Sequence, residues 1–391
     1  MEYNLSIEIS NKLEQKYFEL IKNFINSDDK YLNFPCILPQ VDRKIIHQLC
    51  EKIGIFSESI GEKPNRILTV RKTNKIPNKI NPNILKQFVK DFELPITIFN
   101  EPYFSYFVEL YDKNFDIKEK LLMLEKVVED ATQKNKSFSE YVETTRNQII
   151  SSINSTEIYK SYVNDKMENV LELPKQIDIY KFNEKQKYYI SLDIVKANYN
   201  CMKYYNHELV LKTNSWEELV EKFTNLDYFK KAKYFRQVTF GNLKNKKAAS
   251  IQKILMHQLV KEIKKFPENI NIYGKQGDDE LIIETDEINI LKDYNSLKKI
   301  LNNLSNDLGK IWKIEIFRLY MFLPTSAMIK EIFIDVNKSL FDKNNYHVVF
   351  KNINKNLFPQ IYKSYYKLQL DPFDLKVVIN GQLASFDYPI I

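Results

Sequence analysis

Two constellations in this chain carry residues capable of chemistry. The first is Asp42-Arg43-Lys44-Ile45-Ile46-His47, where an arginine and a histidine are separated by three residues. On a helix that spacing is one turn, so both side chains project from one face. A guanidinium and an imidazole side by side suit phosphate oxygens and flat bases, which is the chemistry of single-strand recognition. The second is Asp193 at the end of the apolar run Tyr188–Ile194, together with Gly277-Asp278-Asp279 between two further apolar runs. Carboxylates at strand ends are what a two-metal site for nucleotidyl transfer requires. Asp193, Asp278 and Asp279 are therefore candidate catalytic residues and candidate ligands for Mg2+ or Mn2+.

The elements that position the first pair are readable from local pattern. Residues 6–26 have apolar positions at helical spacing. Phe34–Leu38 is predicted as a strand, and Val41–Ile53 as a helix stopped by Gly54, burying Ile45, Ile46, Leu49 and Ile53. Ile55–Ser59 and Arg66–Arg71 are predicted strands. Ser59, Lys63 and Asn65 precede Arg66, where side-chain and backbone donors can meet phosphates. With S-x-G-x-x-x-x-R following the helix, the stretch from Lys30 to Lys72 resembles the R-three-H family, a small domain that binds single-stranded nucleic acid. The resemblance implies that Arg43, His47 and Arg66 share a binding surface. On spacing alone, Arg43 is an ordinary solvated helix residue and His47 a local packing or capping group.

Around the second constellation, Ala248–Lys265 is predicted as a helix, and Ile270–Tyr273 and Leu281–Ile283 as strands of a hairpin. Leu297–Leu308 reads as helical and Trp312–Phe322 as a strand. Asn380-Gly381 between Val377–Ile379 and Leu383–Phe386 signals a type I′ hairpin. Between the carboxylates runs a basic stretch, Lys230 to Lys265. It includes Lys244, Lys246, Lys247 and Lys253 as candidate phosphate contacts, with Tyr228, Phe229, Tyr234 and Phe235 beside its first lysines. Only Glu262 opposes this charge within the stretch.

The order Ser191-Leu192-Asp193, basic helix, Tyr273-x-x-x-Gly277-Asp278-Asp279 resembles the palm of reverse transcriptases and RNA-dependent polymerases. That resemblance implies templated nucleotidyl transfer. The middle Pro-Gln-Gly loop and the S-G-x-x-x-T-x-x-x-N motif are absent, and position 198 is Asn. A degenerate palm serving as a non-catalytic binding or assembly scaffold is the alternative. Without the resemblance, Asp193 ends a strand, and Gly277-Asp278-Asp279 is ordinary turn chemistry.

The 391-residue chain carries a net charge of +7 and 44% hydrophobic residues, enough for two or three domains with a sizeable core. We expect an α+β fold. Its parts are an R-three-H-like domain at 1–74, a linker and helical region at 75–175 whose linker is Lys75–Asn83, and a palm-like antiparallel sheet with helices at 176–391. Seven glycines and no G-x-G-x-x-G or G-x-x-x-x-G-K-[ST] exclude dinucleotide and P-loop readings. Cys36, Cys50 and Cys201 lack disulfide or zinc spacing, and Cys50 is expected in the core. The scattered His207, His257 and His347 have no partners at ligand spacing. The polar start points to a cytoplasmic, non-secreted protein, and the richness in Lys, Asn, Ile and Tyr fits an AT-rich replicator such as a large DNA virus. No span is expected to cross a membrane. The expected partner is single-stranded DNA or RNA.

Overall fold

The computed structural model describes residues 4–390, apart from 28, 30, 36, 54, 61–66, 72–79, 168, 169, 171, 182–186, 244, 245, 267–269, 305–308, 323, 324, 337 and 339–344. The chain divides into two compact units, one of Met1–Pro82 with Ile98–Asp112, the other of Asn83–Thr97 with Lys113–Ile391.

In the N-terminal unit, α1 (Lys12–Asn26) begins at Asn11, whose side chain accepts from the amides of Leu13 and Glu14 at 3.0 and 2.9 Å. A short polar side chain at the N-cap satisfies amides that have no intrahelical partner. The helix therefore starts later than its apolar spacing predicts. Upstream, Leu5, Ile7 and Ile9 alternate with exposed residues and pack on the core in extended form. β1 (Tyr31–Phe34), β2 (Phe56–Ile60) and β3 (Ile67–Arg71) form an antiparallel sheet in the order β1-β3-β2, and α2 (Gln40–Ile53) joins β1 to β2. β1 ends at Phe34, short of the predicted Leu38, because Pro35 has no amide to donate to a ladder. Tyr17, Phe18, Ile21 and Phe24 of α1 meet Ile46, Leu49, Cys50 and Ile53 of α2 over Leu68 and Val70 of β3 in one core.

The C-terminal unit opens with α3, whose residues after Pro82 belong to it (Pro82–Asp91), so Pro82 and Asn83 of the expected linker begin a helix; 75–79 lie outside the described residues. α4 (Tyr103–Phe115) belongs to the N-terminal unit as far as Asp112; the C-terminal unit continues with α5 (Ile117–Gln133), α6 (Phe138–Asn154) and α7 (Glu157–Asn164), as the helical pattern predicts. A capping box at Ser137 and Glu140 starts α6.

The sheet follows: β4 (Lys187–Ile194), β5 (Ile272–Gln276), β6 (Glu280–Thr285), β7 (Trp312–Phe322), β8 (Ala327–Phe333) and β9 (Tyr346–Lys351). It is antiparallel throughout, in the order β5-β6-β4-β7-β8-β9. Between β4 and β5 lie α8 (Ala197–Tyr205), α9 (Trp216–Glu221), α10 (Asp227–Lys231), α11 (Lys233–Gly241) and α12 (Lys246–Lys265). Between β6 and β7 lies α13 (Ile290–Asn303), which starts earlier than predicted; 305–308 are outside the described residues. The first four strands thus form a split β-α-β-β-α-β unit, with β6 inserted between β4 and β5. α13 packs on β4 and β7, and α12 on α8 and α13. After α14 (Phe358–Tyr365), β10 (Lys376–Ile379) and β11 (Gln382–Ser385) form the predicted hairpin, with φ of 51° at Asn380 and 80° at Gly381 as a type I′ turn requires.

The segment 175–181 closes the β5 edge and the opposite sheet face. Ile177 N donates to Lys275 O, and Lys275 N to Lys175 O, both at 2.9 Å. Ile177, Ile179 and Tyr180 pack on Tyr189, Ile282, Phe317, Leu319 and Met328. Gly274 permits this approach: a Cβ there would stand 2.6 Å from Ile177 Cγ2 and 2.7 Å from Lys175 O. Gly274→Ala is therefore expected to destabilise the C-terminal unit by about 1–3 kcal/mol, as overpacking does. Denaturant unfolding measures the loss, and faster tryptic cleavage at Lys175 and Lys181 would locate it. Wild-type stability with unchanged cleavage would mean that the strap yields without cost.

Candidate functional site

In the N-terminal unit the geometry around α2 is specific. His47 Nδ1 lies 2.7 Å from Ser57 Oγ and Nε2 lies 3.1 Å from Ser59 Oγ. Ser57 and Ser59 alternate on β2, so both hydroxyls reach the same side of the strand. A serine hydroxyl donates or accepts, and either imidazole tautomer satisfies both contacts. Arg43, one turn before His47, donates from Nε to Leu38 O at 3.0 Å and ties the turn after β1 to the helix. Both residues are half-buried. Lys63, Asn65 and Arg66, which the sequence places with this surface, lie outside the described residues.

Neighbouring groups stiffen the same helix. Tyr17 Oη donates to Asp42; burial first, then this carboxylate, pushes the phenol up to about 12. Lys52 pairs with Glu14 at 3.1 Å, and Glu14 also accepts from Ser10 N at 2.8 Å. The backbone hydrogen bond, then Lys52, holds the Glu14 carboxyl below its ordinary range. Burial pushes the Cys50 thiol up to about 12, against a weaker opposing hydrogen bond with Ser57. Cys50 thus lies in the core, as expected, with burial favouring its thiol over the thiolate.

Residues 15–72 match the family model of the R-three-H domain. The match runs from the first turn of α1 through α2 and the three strands, and so takes in Arg43, His47, Ser57 and Ser59. No curated protein and no solved structure matches the chain.

In the C-terminal unit the register sets Asp193 opposite Glu280 on one side and Lys313 on the other, with Ser191 opposite Glu315. Ile194 N donates to Asp279 O at 3.0 Å, which brings the Gly277-Asp278-Asp279 turn to the end of β4. Burial, then Glu280, Asp279 and Glu315 in that order, raises the Asp193 carboxyl to about 7, with Lys330 opposing. Glu280 is also raised, mainly by burial, and Lys330 again opposes. The sequence reading missed Glu280, Glu315 and Lys330; a lysine within the apolar run Ala327–Phe333 was the available signal.

Asp278 faces other partners. It pairs with Lys275 at 2.6 Å and approaches Lys253 at 3.9 Å. A two-metal centre needs carboxylates converging on spaces that cations can enter. Here Lys275 holds Asp278, while the Lys330 ammonium stands 3.7 Å from Glu280 and 3.9 Å from Glu315. Among the described residues no group of three or more His, Cys, Asp or Glu side chains could hold a metal ion. As arranged, Asp193, Asp278 and Asp279 do not fit the expected Mg2+ or Mn2+ pair.

The basic stretch is more neutral in space than along the chain. Lys230 pairs with Glu221 and Asp227, Lys231 with Glu119, Lys233 with Glu93 and Lys265 with Glu262. Lys247 donates to Tyr162 O, and Lys253 is the residue near Asp278. Lys244 lies outside the described residues, as does the Lys246 side chain. Tyr228, Phe229 and Phe235 are fully buried, so these rings pack the core and are not available to stack bases. Lys90 stands 4.1 Å over the Tyr234 ring. Tyr362 and Lys363 are also buried, Lys363 against Asp374 at 2.7 Å. Among the described residues no helix is long and apolar enough to cross a membrane.

Two outcomes follow from this geometry. His47→Ala, which removes both serine contacts, is expected to cost about 1–2 kcal/mol of N-terminal stability. Denaturant unfolding reads this, and His47→Gln, with its own donor and acceptor, should recover part of it. For Asp193, the folded carboxyl titrates near 7 against an ordinary value of 3.8. Its contribution is therefore complete below the unfolded value and is lost as pH rises through 7. Asp193→Asn should leave stability at pH 4 near wild type and raise it at pH 8 by about 2 kcal/mol after solvent screening. Parallel melting curves across that range would refute the assignment.

Proposed function

We propose that this protein binds single-stranded DNA or RNA through its N-terminal unit. The observation that carries the reading is the R-three-H match over residues 15–72, coinciding with Arg43 and His47 one turn apart on α2. In this reading Arg43 and His47 of α2 act with Lys63, Asn65 and Arg66, which follow Ser59 in the sequence and supply phosphate donors. Cations on phosphates govern affinity and its salt dependence, while the choice of base is a separate matter of groove and stacking contacts.

The C-terminal unit is proposed as a palm-like domain used for binding or assembly. The split β-α-β-β-α-β order, with Asp193 beside the Gly277-Asp278-Asp279 turn, supports the palm-like part. The Lys275–Asp278 pair and the position of Lys330 favour the non-catalytic alternative over templated nucleotidyl transfer. Lys244, Lys246, Lys247 and Lys253 remain proposed auxiliary phosphate contacts; the 3.9 Å pair of half-exposed Lys253 with Asp278 is weak enough to be exchanged.

Fluorescence anisotropy with labelled single-stranded and duplex oligonucleotides tests the first claim. Arg43→Ala combined with His47→Ala should weaken single-strand binding about tenfold and flatten the salt slope. Unchanged affinity and slope in a folded double variant would remove the surface from consideration. Primer extension tests the second claim. No incorporation is expected with Mg2+ or Mn2+; incorporation abolished by Asp193→Ala would restore the catalytic reading.

A further inference from the structure

Lys330 occupies an unusual place. β8 lies inside the sheet, between β7 and β9, and is buried at every position but Ile332, which is partly buried. The Lys330 side chain is 8% exposed. A buried ammonium loses its hydration, and such groups persist only where opposite charge or hydrogen bonding compensates. The compensation is visible on two neighbouring strands. Nζ is shared almost evenly between Glu280 of β6 and Glu315 of β7, and stands 4.1 Å over the Phe317 ring. Asp193 and Asp279 add to the acidic side, while Lys313 pairs with Glu315 from its exposed edge. Lys351 of β9 and Lys233 of α11 lie near enough to act on the same field.

Without a cation at its centre this cluster would set carboxylates of β4, β6 and β7 against one another where little water can screen them. We propose that the Lys330 ammonium is the resident cation of this cluster, holding the ends of β4, β6 and β7 together as a bound divalent ion holds converging carboxylates. The cluster is then complete without metal, and the C-terminal unit keeps its sheet and any binding surface in metal-free solution. This rests on the non-catalytic reading of that unit and names the group responsible for it.

The test uses the full chain, thermal unfolding with and without millimolar Mg2+ or Mn2+, and titration of Mn2+ followed by its electron paramagnetic resonance signal. The wild-type melting temperature should not respond to either ion, and no Mn2+ should bind. Lys330→Met keeps the apolar stem and deletes the charge. Its melting temperature should fall by several degrees, with part of the loss regained in Mg2+ or Mn2+ and bound Mn2+ now detected. Lys330→Arg should behave as wild type.

If Lys330→Met is as stable as wild type and indifferent to metal, Lys330 is not the counter-cation and the proposal fails. If Lys330→Met does not fold in buffer, folding is repeated in millimolar Mg2+ or Mn2+: recovery supports the proposal, and no recovery with either ion overturns it. Wild-type Mn2+ binding that Asp193→Asn abolishes would overturn both the inference and the non-catalytic reading. Primer extension without such binding would overturn the reading alone.

Discussion

The placement of β4 between β6 and β7 is the constraint on which the C-terminal unit depends. Because β6 is inserted between β4 and β5, the chain must leave β4, cross one face through α8 to α12, and return at the sheet edge. One face of β4 is thereby committed to helices, and Ile190, Leu192 and Ile194 are buried on it. The other face brings Asp193, Ser191 and Tyr189 into register with Glu280 and Ile282 on one side and with Lys313, Glu315 and Phe317 on the other. The aromatic half of that face is closed by Ile177, Ile179 and Tyr180, and its acidic half is closed by Lys330. A single register therefore fixes both where the apolar core lies and where carboxylates must be neutralised.

The N-terminal unit solves a smaller version of the same problem. A small sheet needs an apolar face with something to bury it, and α1 and α2 supply that core. Arg43 and His47 then join α2 to its neighbours. Arg43 holds the turn that enters the helix through Leu38 O, and His47 holds β2 through two serines. Residues read as a binding surface thus also determine the geometry of that surface. Loss of binding on mutating them has to be separated from loss of packing.

The type and order of most elements were legible in the sequence. Apolar periodicity marked α2, α5, α6, α12 and β7, and Asn380-Gly381 marked the last hairpin, because these signals depend on neighbours a few residues away. Local competition moved the ends: Asn11 delayed α1, and Pro35 stopped β1 early. The closeness of Asp193 to the Asp279 turn was implied only by the palm resemblance, because which strands lie side by side is a long-range matter.

What a side chain faces was a different matter. The charge of Lys230–Lys265 looked unopposed, yet Glu93, Glu119 and Glu221 come to it from elsewhere in the chain. Tyr228 and Phe229 looked available for bases but lie in the core, Tyr228 donating to Asp91. Asp278 and Asp279 are adjacent in sequence, but Lys275 holds the first, while the second sits by β4. Residue order settled the presence of the strands, helices and turns through short-range periodicity and capping. The partners of each charge depended on strand register and long-range packing, because Coulombic pairing and burial act between groups that the chain keeps far apart.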